Sequence, residues 1–354
     1  MRLGLAYNEK PDPSSPDEPP STGDAFAEWD EPTTINAVEQ ALGLFGSVIR
    51  LEADSDFPRK LAAARPDLVF NMAEGLHGPN RESHVPAVCE LLGVPYTGSD
   101  PLTLSLALHK ARAKEVLAYR GVPTAPFALV ERPADIDRIR LRYPLFVKPV
   151  AEGSGKGIFV ENLCAGEPEL RERTRALLER YAQPVLVEAY LPGPEFTVAI
   201  LGNGSDARCL PVVGFDFGTL PAGAPPIYGY EAKWVWDRPE RPLAIFECPA
   251  RVPPALSREI EQTALDAYQA LGCRDWCRVD LRVDRFGVPN LVELNPIPGI
   301  LPDPAMNSCF PKAARAAGMT YDELIQEVAR IAWRRLTGRA PRAWRATAPA
   351  AVTA

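Results

Sequence analysis

Apolar and polar positions alternate along Cys277-Arg278-Val279-Asp280-Leu281-Arg282-Val283 and again along Leu291-Val292-Glu293-Leu294-Asn295-Pro296, with Asp284-Arg285-Phe286-Gly287 between them. A period of two on each side of a polar, glycine-containing break predicts two strands joined by a turn. Arg278, Asp280 and Arg282 then share one face of the first strand, and Glu293 and Asn295 one face of the second. Pairing that makes these faces coincide gathers two carboxylates and an amide oxygen. Oxygen-only ligation of this kind suits magnesium bridging nucleotide phosphates.

Toward the N-terminus the pattern predicts strands at Arg2 to Ala6, Ser47 to Leu51 and Asp67 to Asn71, with a proline-rich loop from Pro11 to Pro20. Thr33 or Thr34 is placed to cap a helix through Ile35, Val38, Ala41 and Leu42. Strands alternating with helices imply a small parallel sheet, whose ligands sit at the carboxyl ends of the strands. Tyr7 and Asn8, the acidic Glu28-Trp29-Asp30-Glu31 and Glu74-Gly75 all fall there.

Ala107 to Tyr119 has helical spacing, and Pro123 and Pro126 then open an extended link. Tyr143 to Pro149 reads as a strand carrying Lys148, and the glycine-rich Glu152 to Gly157 leads into a second strand, Ile158 to Val160. Strand, loop, strand fits neither the Walker pattern nor the dinucleotide fingerprint, and describes a flap whose backbone approaches phosphates. Glu167 to Tyr181 is a charged helix. The strand Val185 to Leu191 places Glu188 to accept from a base's amine, and Glu195, after a rigid Gly-Pro turn, is placed to hold ribose hydroxyls.

A length of 354 residues calls for two or three lobes. The net charge of -7 argues against a nucleic-acid-binding surface. No apolar run approaches a membrane span and the N-terminus lacks a signal-peptide pattern, so the expected location is cytoplasmic, with small-molecule partners and neither nucleic acid nor membrane. Seven scattered cysteines suit reduced thiols, and Cys273-x3-Cys277 lacks the second pair that a metal clip needs. His77, His84 and His109 are the only histidines.

Eight segments, in order, carry a resemblance: Phe70 to Gly75, Leu92 to Ser99, the helix with Lys110, Val147 to Ser154, Gly193 to Gly202, Tyr228 to Lys233, Leu271 to Asp280 and Glu293 to Gly299. Over roughly residues 66 to 330 the chain resembles the D-alanine-D-alanine ligase-like family of ATP-grasp carboxylate-amine ligases. The resemblance implies a three-lobed ATP-grasp fold of mixed α/β and α+β class. Its lobes are an N-terminal parallel α/β domain (1-103), a central lobe (104-185) and a C-terminal lobe (186-335), with the nucleotide cleft between the last two and a tail without fixed structure at 336-354.

By the same resemblance Lys110, Lys148 and Lys233 contact ATP phosphates, while Glu188 and Glu195 hold adenine and ribose. Asp280, Glu293 and Asn295 bind two Mg2+ ions, with Mn2+ as the alternative. Arg278 and the backbone N-H of Gly299 form an oxyanion hole, and Ser154 orders the loop over the first substrate. A homodimer through the N-terminal lobe is also implied.

Departures fall in the amino-acid pockets. Lys156 adds a charge to the nucleotide loop, and Trp234 replaces the tyrosine expected after Lys233. Glu28 or Asp30 takes the place of the family's N-terminal glutamate, and Glu74 that of a histidine. No serine follows Gly299 at the expected offset, so Asn307 becomes a candidate for the second substrate. Arg81 and Arg282 are candidates for gripping a carboxylate. The expectation is a ligase of amino acids or related small acids with altered pockets. The rivals are a true D-alanine-D-alanine ligase, a carboxylase acting through carboxyphosphate and a nucleotide-binding scaffold without chemistry.

Overall fold

The computed structural model describes residues 1-11, 26-237 and 242-339. Most of the proline-rich loop and the tail from residue 340 onward lie outside the described residues.

The N-terminal lobe is built from β1 (Arg2–Tyr7), α1 (Pro32–Gly43), β2 (Ser47–Glu52), α2 (Phe57–Ala64), β3 (Leu68–Asn71) and α3 (His84–Leu92). The three strands form the predicted parallel sheet in the order β2-β1-β3. One cap differs from expectation. Helix α1 begins at Pro32 with Glu31 as its N-cap, and Thr34 is buried within the first turn. Proline's fixed φ suits the first helical position, so Pro32 starts the helix ahead of either threonine.

Helix α4 (Pro101–Leu108) and helix α5 (Lys110–Tyr119) occupy the segment whose spacing predicts a single helix. The break falls at His109, which leaves helical geometry at φ -85° and ψ 86°, and its Nδ1 accepts from the Arg112 N-H. Every residue there is a competent helix former, so local propensity carries no sign of the break. Its cause is tertiary: the Lys110 N-H donates to Val150 O, 2.9 Å away on the neighbouring lobe.

The central sheet contains β4 (Phe127–Val130), β5 (Leu145–Pro149), β6 (Leu163–Cys164) and β7 (Val185–Ala189) in the antiparallel order β4-β7-β5-β6, backed by α6 (Glu167–Tyr181). The strand bearing Glu188 therefore belongs to the central sheet, although the sequence division at 185 places it with the C-terminal lobe. Ile158 to Val160 is not a strand. Asn162 Nδ2 donates to Gly157 O at 2.6 Å and closes the glycine loop into a short turn of helix at Val160–Asn162.

The C-terminal lobe carries β8 (Glu195–Leu201), β9 (Arg208–Cys209), β10 (Val213–Phe215), β11 (Phe246–Glu247), α7 (Pro254–Ala270), β12 (Trp276–Val283), β13 (Pro289–Asn295), α8 (Cys309–Ala316) and α9 (Tyr321–Thr337). Its antiparallel sheet runs β11-β10-β8-β12-β13, with β9 paired to β8. Helix α9 continues two residues past Arg335 and ends on Gly338 at φ 65°, so the first residues of the expected tail are helical. Among the described residues no helix is long and apolar enough to cross a membrane.

Besides the packing of α1 on α9, where Gln326 Nε2 donates to Ala41 O at 3.2 Å, two contacts at the start of β12 join the first and last lobes. Trp276, fully buried at the start of β12, meets Phe70 edge-on at 5.5 Å and Phe310 at 5.7 Å. Beside it the buried Asp275 carboxylate accepts from the Gly98 N-H, from Asn203 Nδ2 and from Arg335. Removing the indole leaves a void that both lobes line. Trp276→Ala is expected to lower unfolding free energy by about 3–5 kcal/mol in urea titration, and a loss below about 1 kcal/mol refutes its role as the joint.

Candidate active site

Strand β12 lies between β8 and β13, and its register sets the site. Arg278 stands opposite Asn295, and Asp280 opposite Glu293, so the predicted faces coincide. Past this pair the register shifts, Leu281 facing Leu291, and the bulge leaves Val292 lining the cleft. Asp280 is tightly held: Arg278 Nε and Nη2 donate to its two oxygens at 3.0 Å each, Thr197 Oγ1 donates at 2.5 Å, and Asn295 Nδ2 at 3.2 Å. Glu293 pairs with Lys110 at 3.2 Å and faces Arg278 at 3.9 Å. Burial alone would raise its pKa, but Lys110, Lys148 and Arg278 bring it down to about 2.

Among the described residues no three His, Cys, Asp or Glu side chains form a ready cation cluster. What the strands present is two carboxylates and one amide. That donor set fits a hard cation whose remaining positions are filled by phosphate oxygens and water.

The facing wall comes from the central sheet. Glu188 on β7 meets Lys148 of β5 at 2.6 Å and Lys114 of α5 at 3.0 Å. Burial pushes this carboxyl up, and the two ammonium groups overcome it, holding it near a pKa of about 2. Each oxygen lies within ion-pair distance of a lysine, while Oε2 has no hydrogen-bond partner among the described residues and stays open as the acceptor expected for a base amine. Lys114 escapes the sequence reading, although its spacing of four from Lys110 puts both on one helix face. Glu195, at the start of β8, pairs with Arg282 at 2.8 Å, and burial raises it to about 7 against the pull of that guanidinium. Arg282 also donates to Tyr190 Oη at 2.9 Å, so two of its nitrogens are engaged, by Glu195 and Tyr190, while its Nε has no hydrogen-bond partner among the described residues. The cleft between these walls measures about 360 Å³.

A second group of charges joins the N-terminal lobe to the glycine loop. Glu28 accepts from Arg81 at 2.8 and 2.9 Å and from the Gly153 N-H at 2.7 Å, and it pairs with Lys156 at 3.0 Å. Lys156 also pairs with Glu152 at 2.5 Å, while Arg81 donates to Ala151 O at 2.8 Å. Neither Arg81 nor Lys156 is therefore directed at a ligand: they fasten Glu28 to the loop. Ser154 sits in this loop at φ 52° and lines the cleft.

Behind the cleft lies a smaller cavity of about 100 Å³ that Asp30, Glu74, Lys233, Arg278 and Gly299 help to line. Glu82, absent from the sequence candidates, lines it too. Lys233 and Trp234 lie on a wide π-helical turn, Glu231–Trp236. Burial and Arg278 lower the Lys233 pKa to about 8. After Gly299 the chain is locked: Ser308 Oγ accepts from the Leu301 N-H at 3.1 Å and donates to Gly299 O at 3.2 Å. Asn307 lines the cleft, but its amide donates to Asp237 at 2.7 Å and Leu243 O at 2.8 Å, which commits it to holding the loop.

Two antiparallel sheets closing on a cleft, lysines on one wall and facing carboxylates on the other, define an ATP-grasp enzyme. Residues 116–330 match the family model described as D-ala D-ala ligase C-terminus. A D-alanine-D-alanine ligase of Bordetella petrii is 37% identical over 271 residues, covering 76% of this chain and 77% of that protein. An uncharacterised protein of Sinorhizobium fredii is 36% identical over 275 residues, covering 77% and 76%. A solved D-alanine-D-alanine ligase of Bacillus anthracis complexed with ATP shares the fold at a TM-score of 0.70 and 22% identity, over 95% of this chain and 98% of that one. The chain belongs to the D-alanine-D-alanine ligase-like family, whose chemistry is ATP-dependent C-N bond formation.

Removing the charge of Glu188 strands two lysines in the interior. Glu188→Gln is expected to cost about 3–5 kcal/mol in urea unfolding at pH 7. Because its folded pKa lies below the ordinary 4.5, the stabilisation is complete above that value and is lost as pH falls toward about 2. A gap between wild type and variant that persists unchanged at pH 2 contradicts this.

Proposed function

We propose that the protein is an ADP-forming carboxylate-amine ligase that joins two amino acids or related small acids through an acyl phosphate. The observation that carries the reading is the register of β12 against β13, which sets Asp280 opposite Glu293 with Arg278 beside both. In this reading the adenine and ribose lie toward Glu188 and Glu195, and the phosphates toward Lys110, Lys148 and Lys233. Asp280, Glu293 and Asn295 would hold two Mg2+ ions, or Mn2+ in their place, and the metal would supply charge that offsets the phosphates.

The first substrate's carboxylate oxygen attacks the γ-phosphorus as the bond to the bridging oxygen breaks, and ADP leaves. The amine of the second substrate, having lost its proton, then attacks the acyl carbon, and the C-O bond to phosphate breaks. Arg278 and the Gly299 N-H face the oxygen that gains charge in this step, while the loop with Ser154 shields the first substrate. A scaffold that had abandoned chemistry would not need Arg278 and both carboxylates, and all three are in place. We place the enzyme in the cytoplasm as a homodimer through the N-terminal lobe, where Leu91 and Leu92 of α3 are exposed.

Phosphate release with Mg-ATP across paired amino acids of both hands tests this reading. Some pair is expected to turn over, Asp280→Ala is expected to abolish release, and Arg278→Ala to lower kcat about 10²–10³-fold. Undiminished release in Asp280→Ala sinks the assignment. Lys233 also predicts a pH dependence: since it loses its charge near pH 8, ATP affinity is expected to fall as pH rises past that value. In Lys233→Met calorimetry should find weaker binding and no such fall.

A further inference from the structure

The glycine loop of the central lobe is fastened on both sides to other lobes. On one side the Gly153 N-H donates to Glu28 of the N-terminal lobe at 2.7 Å, and Lys156 reaches back across the loop to pair with the same carboxylate at 3.0 Å. Arg81, also of the N-terminal lobe, donates to both oxygens of Glu28 and to Ala151 O, just ahead of the loop. On the other side the Tyr230 N-H, three residues before Lys233, donates to Ile158 O at 2.7 Å. Lys110 Nζ donates to Glu152 O, so a lysine of the cleft depends on the same loop.

Two features show that this position is imposed on the loop by its neighbours. Ser154 stands at φ 52°, a left-handed geometry that is costly for a residue with a side chain and persists only where the surroundings enforce it. Position 153 has no room for a side chain. A Cβ there would lie 2.6 Å from Glu28 Oε1, and the three atoms it would meet first all belong to Glu28. Gly153 itself is not in left-handed geometry, so the glycine serves the close approach of Glu28 and not backbone freedom.

Gly153, Ser154 and Gly155 line the cleft, whereas Arg81 and Lys156 are not among the described residues that line it or the inner cavity. Both cations are buried, so their pairs with Glu28 are little screened by salt. Building on the nucleotide reading of the cleft, we infer that Arg81 and Lys156 are positioning residues: through Glu28 they latch the glycine loop down over the cleft, and opening of this latch gates nucleotide entry and exit. The N-terminal lobe thereby governs how fast nucleotide exchanges between the other two. With the latch cut, the loop spends more of its time open and both passages quicken.

The test is surface plasmon resonance of the intact, immobilised protein with magnesium and a non-hydrolysable ATP analogue. Two chemically unrelated cuts are compared. Lys156→Met removes the ammonium and keeps the stem, whereas Gly153→Ala leaves every charge in place and drives a methyl group against Glu28. Each is expected to raise both the association and the dissociation rate at least about 5-fold. Amide hydrogens in peptides covering 151–158 should exchange at least about 5-fold faster than in the wild type, with those of β12 unchanged. Circular dichroism identifies a variant that fails to fold, and the other then decides. Rates unchanged in both variants overturn the proposal, as does affinity lost through slower association, the mark of a merely distorted site. A wild type that binds no nucleotide sinks the ligase reading instead. The latch then stands or falls by exchange alone, where unchanged protection at 151–158 in both variants overturns it.

Discussion

The pairing of β12 with β8 on one side and β13 on the other is the constraint from which the site follows. Seven consecutive residues of β12, Trp276 to Arg282, are in register with Leu201 to Glu195. Such a strand has no freedom to slip, since a shift of one residue would carry Arg278, Asp280 and Arg282 into the core and Val279 and Leu281 into the cleft. The same register puts Thr197 under Asp280 and Glu195 beside Arg282. Five functional positions on two strands are thus fixed by packing on the opposite face, where Val279, Leu281 and Ile200 are fully buried.

Around that frame the protein manages an unusual density of enclosed charge. Lys114, Lys148 and Glu188 form one ion-paired group with a lysine in excess, Lys110 and Glu293 a second, and Glu28, Arg81, Glu152 and Lys156 a third. Such groups are weak contributors to net stability, because desolvation offsets most of the attraction. Their value lies in position: Lys110 and Lys148 arrive at the cleft already desolvated and aimed, with little reorganisation left when a polyanion enters.

The alternating pattern was enough to read the β12-β13 hairpin and the faces it brings together, because strand period and burial agree there. The parallel sheet was equally legible from strand and helix order. What stayed hidden depends on contacts distant in sequence. The break at His109 is made by Val150, the engagement of Glu188 by Lys114, and the diversion of Arg81 and Asn307 by Glu28 and Asp237. Glu82 belongs with them. Its neighbours in the chain give no hint that it faces a cavity, and only the packing of the N-terminal lobe against the grasp lobes turns it inward.

The Glu28, Arg81, Glu152 and Lys156 group also bears on how this sequence can drift over generations. The two acids and two bases come from three stretches of chain, yet each carboxylate shares its cations with the other. A lone replacement at position 156 leaves two enclosed carboxylates on one arginine, and a lone replacement at 28 leaves two cations on one glutamate. Neither intermediate is neutral, so substitutions at these four positions are bound to arrive in compensating pairs. A descendant with serine at 156 should also have lost an acid, at 28 or at 152.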